Sequence, residues 1–64
     1  MAPNIHHKLA PGDHVLIRAF DDIPEHAFVI DEVLDDCVCG HALTGPLAGE
    51  YGEPDIEMIL RIID

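Results

Sequence analysis

The 64-residue sequence predicts a mainly β fold, a small and partly open barrel of about four to five short antiparallel strands. Two observations lead to this prediction. Short apolar runs with the two-residue period of a strand recur along the chain, and turns rich in Gly, Pro and Asp separate them. The chain is also of single-domain length, so residues 1–64 are predicted to form one domain, with residues 1–9 as a loose lead-in.

The first strand is predicted over residues 14–20. A turn at residues 10–13 precedes it, because its Pro fixes φ, its Gly allows a positive φ and its Asp can hydrogen-bond to the backbone. After this turn, Val15, Ile17 and Ala19 fall on alternate positions. They would therefore share one face of the sheet.

Residues 27–34 form an apolar segment that admits two interpretations. Its β-branched and aromatic residues favour a strand. The alternative is an α+β fold, in which Asp22 and Glu25 form a capping box that begins a helix at about residues 22–35. We favour the strand, because the Asp pair at 35–36 lies midway between two β-like runs, where a hairpin turn belongs.

The C-terminal half of the chain contains two further predicted strands and a long loop. Residues 37–43 are predicted as a strand, because Gly40 disfavours a helix there. Residues 44–54 are rich in Gly and Pro and are predicted as a loop. Loops of this length are often functional. Residues 55–64 also match a helical stripe, but their four Ile residues favour a strand, since restricted χ1 rotation lowers helix propensity.

Two segments resemble SH3-like small barrels. Residues 11–15 (Pro-Gly-Asp-His-Val) look like the start of the first strand of those barrels, and residues 29–38 look like their second and third strands around an acidic turn. The resemblance spans roughly residues 9–63 and indicates no specific family. It implies a barrel that serves as a binding or accessory module, and it assigns no functional residue. Signalling SH3 domains bind Pro-rich ligands in an aromatic groove, whereas this chain has two Phe, one Tyr and no Trp.

Charge and composition argue against several classes of protein and partner. Thirteen acidic residues against three basic ones give a formal net charge of -10. A basic stripe able to bind nucleic acid or an anionic membrane is therefore not expected. The N-terminus has no basic region followed by an apolar stretch, so we expect no signal peptide and a cytoplasmic location. Cys37 and Cys39 lie too close in sequence for an unstrained disulfide, and free thiols fit that compartment.

A candidate zinc site involves Cys37, Cys39 and His41. In an extended strand these side chains project to one face, about 6.6–6.8 Å apart per pair. Thiolate and imidazole suit zinc, which needs four ligands in a structural site. The fourth ligand would be one of His6, His7, His14 and His26. The competing interpretation is that both Cys are small buried apolar residues, and the adjacent Asp pair is expected to raise the thiol pKa values and oppose a redox role.

A candidate interaction surface surrounds the only Tyr of the chain, which lies in the long loop among acidic residues. Tyr is favoured at interfaces because its ring is apolar and its hydroxyl is polar. The competing interpretation is that this Tyr caps the end of the barrel. The last strand is apolar on both faces, so one face would remain for a partner. The predicted interaction residues are Glu50, Tyr51, Glu53, Asp55, Ile59 and Ile63.

These features predict a non-enzymatic binding or accessory module whose partner is another protein or a second copy of the chain. The sequence contains no Ser, no phosphate-binding loop and no cofactor fingerprint, and this argues against an enzyme. Two alternatives remain open. One is a small metal-binding protein using Cys37, Cys39 and His41. The other is an acidic decoy that occupies a nucleic-acid-binding protein by imitating phosphate charge.

Overall fold

The computed structural model of the protein describes residues 9–63 and confirms the mainly β fold. Five antiparallel strands form one open sheet in the order β4-β3-β2-β1-β5. The strands are β1 (His14–Ile17), β2 (His26–Val33), β3 (Val38–Ala42), β4 (Tyr51–Gly52) and β5 (Ile59–Ile62). Most of the predicted lead-in, with His6 and His7, lies outside the described residues.

The turn predicted ahead of β1 is confirmed. The N–H of Asp13 donates to the carbonyl of Ala10 at 3.1 Å, and the Asp13 side chain accepts the N–H of Ala10 at 3.0 Å. Gly12 has a φ of 93°, which the third position of this Pro-Gly turn requires and which side chains rarely allow. The N–H of Gly12 donates to the carbonyl of Ile30 at 2.7 Å, so the turn is fastened to β2.

The first strand is shorter than predicted, because a second tight turn follows it. β1 ends at Ile17 instead of Phe20. Phe20 and Ile23 then exchange two backbone hydrogen bonds, of 2.9 and 2.7 Å, across Asp21 and Asp22. Asp21 has a φ of 49°, in the left-handed region that Asp tolerates better than most residues do.

The predicted strand at residues 27–34 is confirmed, and the alternative of a helix over 22–35 is wrong. β2 buries His26, Phe28 and Ile30 at every second position, while the residues between them are half-buried. This two-residue period is that of a strand whose two faces are both partly covered. The apolar side chains of β2 therefore fall on both faces of a sheet.

The turn between β2 and β3 lies at Asp35 and Asp36, as predicted. The N–H of Leu34 donates to the carbonyl of Cys37 at 2.9 Å and closes it. The third strand, predicted over residues 37–43, is confirmed as β3.

A β-bulge bends β2 where it pairs with β3. Ile30 pairs with Gly40, whereas the next pair joins Glu32 to Cys39, so Asp31 is an extra residue in β2. Such a bulge leaves one residue unpaired and redirects the side chains that follow. Asp31 and Glu32 are both exposed as a result, although they are neighbours in a strand.

The C-terminal strand is also shorter than the predicted span of 55–64. A 3₁₀ turn, Ile56–Met58, precedes β5. Because a 3₁₀ helix has about three residues per turn, Ile56 and Ile59 point the same way, and they are 6% and 4% exposed in the core. A register shift against β1 then leaves Leu60 unpaired and exposed.

The core lies against one face of the bent sheet. It contains side chains from four strands and from the 3₁₀ turn, namely Val15, Ile17, Phe28, Ile30, Val38, Ala42, Ile56 and Ile59. Phe20 and Leu47 pack against this cluster from the connections between strands. Both also line the pocket described next.

Candidate binding pocket

The loop predicted over residues 44–54 contains the short strand β4, Tyr51–Gly52, because His41 and Gly40 of β3 pair with it, and an ordered turn fills most of the part before β4. The N–H of Glu50 donates to the carbonyl of Leu47 at 2.8 Å, which closes the turn. Both backbone groups of Ala42 are hydrogen-bonded to the turn. Its N–H donates to the carbonyl of Glu50 at 3.0 Å, and its carbonyl accepts the N–H of Gly49 at 2.8 Å. The segment is therefore fixed against the end of β3, and it carries its side chains to a defined position.

This turn borders an apolar pocket of about 240 Å³. The three neighbouring strands β1, β2 and β3 each contribute one buried apolar residue to the pocket wall, namely Ile17, Phe28 and Ala42. Phe20 and Leu47 form half-buried walls. Exposed side chains form the rim, namely Glu50, Tyr51 and Glu53. All three aromatic residues of the chain thus line one pocket.

His26 is the one buried polar or charged residue among residues 9–63, with 4% of its surface exposed, and it lines the pocket. Its Nδ1 lies 2.9 Å from the carbonyl oxygen of Pro24. In a neutral ring this contact places the proton on Nδ1, so Nε2 is a hydrogen-bond acceptor. The ring of Phe20 packs beside it, with the two centroids 6.2 Å apart.

The Nε2 atom of His26 has no hydrogen-bond partner among residues 9–63. Within the same residues, every fully buried side-chain nitrogen and oxygen has a partner. Nε2 is therefore not fully buried, and we infer that it is reached from the pocket that His26 lines. Nε2 is a hydrogen-bond acceptor, whereas the other buried side chains that line the pocket, Ile17, Phe28 and Ala42, are apolar.

A hydrogen bond joins Tyr51 and Glu53 on the rim of the pocket. The Tyr51 hydroxyl donates to the Glu53 carboxylate at 2.8 Å. This hydrogen bond favours the protonated phenol and raises the pKa of Tyr51 above its ordinary value of 10.0, with partial desolvation acting in the same direction. The Tyr51 ring also meets the His41 ring edge-on, with centroids 5.8 Å apart.

We expect replacement of Glu53 by Gln to lower the pKa of Tyr51 toward 10.0, because Glu53 is the main cause of the upward shift. Tyr51 is the only Tyr and the chain has no Trp, so phenolate absorbance measures this one group. The Glu25→Gln variant, which removes an exposed acid outside the rim, should titrate like the parent. A Tyr51 titration midpoint at or below pH 10.0 in the parent protein would contradict this geometry, provided that circular dichroism shows the protein to be folded at that pH.

The three proposed metal ligands do not meet at one point. His41 is exposed and its Nδ1 pairs with the Asp31 carboxylate at 3.1 Å, while the Cys39 thiol lies 3.9 Å from Glu32. Cys37 lies outside β3, in an isolated bridge with Asp55. Over residues 9–63, no three His, Cys, Asp or Glu side chains are grouped so that they could hold a metal ion.

The thiols are free, as the sequence predicts, with Cys39 buried and Cys37 half-buried. Burial raises the pKa of the Cys37 thiol, and the negative charge of Asp36 adds to the effect. The sequence indicated the same direction from the adjacent acids. Cys37 is therefore mainly protonated near neutral pH, which opposes nucleophilic or redox chemistry there.

The structure separates the predicted interaction residues into two groups. Glu50, Tyr51 and Glu53 lie together on the pocket rim. Asp55 is exposed but does not line this pocket. Ile59 is a core residue and Ile63 is half-buried, because the 3₁₀ turn and the register shift of β5 against β1 change the alternation on which the two-faced strand prediction depended.

Sequence reasoning missed the pocket walls. The sequence suggests His26 only as a fourth zinc ligand and assigns no role to Phe20, Phe28 and Leu47. Leu47 is distant in sequence from the other three, and the turn after β3 is needed to bring it to the same pocket, while the pairing of β1 with β2 positions His26 and Phe28. The available signal was the small number of aromatic residues, all of which proved to share one site.

Comparisons with protein-family models, curated proteins and solved structures found no match. Throughout residues 9–63, no helix is long and apolar enough to cross a membrane. The fold and the pocket define the chain as a small β protein with an apolar pocket and an acidic rim. Its function has to be argued from these side chains.

Proposed function

We propose that the protein is a non-enzymatic binding module that captures a basic segment of a partner protein in this pocket. The observation that carries the proposal is the coincidence of three features: an apolar pocket, all the aromatic residues of the chain, and two carboxylates at the mouth. Apolar pockets with a few polar groups are the usual form of a ligand site. The proposal retains the SH3-like resemblance, which also implies a binding or accessory role.

The exposure of Tyr51 supports contact with a partner. Its side chain is 57% exposed although its ring is large and mainly apolar. The hydrogen bond to Glu53 holds the ring in place, so little conformational freedom is lost when a partner covers it. Ordered Tyr residues at the edge of an apolar pocket are typical centres of protein interfaces.

Charge favours a basic partner over a second copy of the chain. Two copies each carry a formal charge of -10 and repel one another, whereas a basic segment is attracted to the rim. The acidic decoy has weaker support, because a decoy needs its acids on one extended face. The Asp21–Asp22 and Asp35–Asp36 turns lie at opposite ends of β2, so much of the charge is distributed around the molecule.

We expect a peptide library displayed on phage and selected against the immobilised protein to yield sequences enriched in Lys and Arg. Glu50→Gln combined with Glu53→Gln should weaken a selected peptide by roughly 2- to 30-fold, corresponding to two exposed ion pairs of about 0.2–1 kcal/mol each. Added salt should weaken parent binding too, because it screens exposed charges.

The matched control combines Glu25→Gln with Glu57→Gln, which removes the same charge from exposed sites outside the pocket. This variant should bind nearly as well as the parent. Selected peptides without basic residues would contradict the proposal. So would equal loss of affinity in the two double variants, because net charge and not the rim would then explain binding.

A further inference from the structure

We infer that the residue received by the pocket is an arginine of the partner, with its guanidinium donating to Nε2 of His26. This inference rests on the proposed function and names the side chain that the site selects. It is built from three features of the pocket: the His26 acceptor, the aromatic residues among its lining and the two exposed carboxylates of Glu50 and Glu53.

The His26 acceptor requires a donor from the ligand. Nδ1 is committed to the carbonyl of Pro24, so Nε2 is the free hydrogen-bonding position of the ring. A ligand that fills the pocket displaces water from Nε2. An apolar side chain such as Leu would leave this acceptor without a partner, at a cost of roughly tenfold in affinity. The occupant therefore combines an apolar body with an N–H or O–H group.

The walls favour guanidinium over ammonium. Phe20, Phe28 and Tyr51 all line the pocket, so a cation that enters it loses water and gains contact with aromatic rings. Guanidinium is planar, weakly hydrated and able to stack on rings, whereas the Lys ammonium is compact and strongly hydrated. Guanidinium also presents five N–H donors, enough to serve Nε2 and a carboxylate together.

The rim supplies the compensating charge. Glu53 accepts the Tyr51 hydroxyl at 2.8 Å, and a carboxylate has about four lone-pair positions, so Glu53 can also accept from an incoming cation. Glu50 is also exposed and lines the same pocket. Hydrogen bonds between a guanidinium and a carboxylate are among the stronger ones in proteins.

The test compares three capped pentapeptides with two Gly residues on each side of Arg, Lys or citrulline, titrated into the ¹⁵N-labelled protein and followed by NMR. The Arg peptide should bind at least about fivefold more tightly than the Lys peptide. It should also shift the Nε2 resonance of His26, as read by long-range nitrogen correlation. Citrulline keeps N–H donors but lacks the charge, so it should bind more weakly than Arg.

The outcomes separate this inference from the proposed function. If the Lys peptide binds as well as the Arg peptide, and both depend on Glu50 and Glu53, the basic-partner proposal stands and the arginine inference is wrong. An unmoved Nε2 resonance on Arg binding also overturns it. If no peptide binds at millimolar concentration while the selected phage peptides do, a lone arginine is insufficient and the inference is likewise overturned.

Variants of His26 give an independent test. His26→Phe keeps a ring but removes the acceptor, and it should weaken binding of the Arg peptide by roughly tenfold or more. His26→Gln restores an acceptor oxygen and should recover part of the difference. Should neither variant give a dispersed NMR spectrum, the Nε2 resonance of the parent protein decides the question.

A second copy of the chain is the other possible source of arginine. Nε of Arg18 already donates to the Met58 sulfur at 3.2 Å, and Arg61 is exposed on β5. We expect light scattering to give a monomer mass at the NMR concentration. A dimer that the Arg61→Gln variant abolishes would assign the pocket to self-association and contradict the inference.

Discussion

Replacing Gly40 with Ala is expected to prevent stable folding of the domain. Gly40 lies in β3 opposite Ile30, where a Cβ atom would overlap the carbonyl oxygen of Val29 and lie 3.0 Å from Cε1 of Phe28. Neither a strand backbone nor a packed ring can move far. Overpacking a core costs about 1–3 kcal/mol or more, and a core of this size rarely supplies more than about 3–5 kcal/mol.

Thermal unfolding followed by circular dichroism measures this effect. Gly52→Ala is the matched control, because a Cβ there would meet Phe28 and Pro54 at 3.6 and 3.9 Å, which are ordinary contact distances. That variant should stay within about 0.5 kcal/mol of the parent. A cooperative transition for Gly40→Ala at the parent's midpoint would mean that the close approach of β3 to β2 is incorrect.

Replacing Ile30 with Ala is expected to destabilise the fold by about 2–5 kcal/mol, while Ile30→Val should cost only about 0.5–1.5 kcal/mol. Ile30 is 1% exposed and lies in the central strand of the sheet, so the surrounding side chains have little freedom to close the cavity. Comparison of Ile30→Ala with Ile30→Val distinguishes loss of packing from a general intolerance of substitution at this position.

Urea unfolding of the two variants provides the free energies. Leu60→Ala is the control, because Leu60 has the same number of carbons as Ile but is 45% exposed, and the variant should change stability by about 0.5 kcal/mol or less. Equal destabilisation by Ile30→Ala and Leu60→Ala would contradict the assignment of the core.

The elements that could be predicted from sequence are those that neighbouring residues determine. The turns at Pro11–Gly12 and Asp35–Asp36 follow from local backbone preferences. β2 follows from the aromatic and β-branched residues Phe28, Val29 and Ile30, once the turn at Asp35–Asp36 is given more weight than the possible helix cap at Asp22. In each case the deciding residues lie within a few positions of one another.

The elements that could not be predicted depend on contacts between distant segments. The bulge at Asp31 is visible only from the pairing of β2 with β3, and the exposure of Leu60 only from the pairing of β5 with β1. The same holds for the site. Tyr51 and its acidic neighbours could be selected from local composition, but the buried residue His26 could not, because burial is a property of the assembled sheet.

The strand order has a consequence for aggregation. In the described sheet, β4 and β5 are the two edges, where unpaired backbone groups could recruit strands from other molecules. β4 has two residues and is followed closely by Pro54, while a register shift interrupts the pairing of β5 with β1 and β5 carries the charged Arg61. Short, irregular and charged edges are poor templates for fibril growth. Association through backbone pairing is thereby suppressed, and recognition is left to side chains.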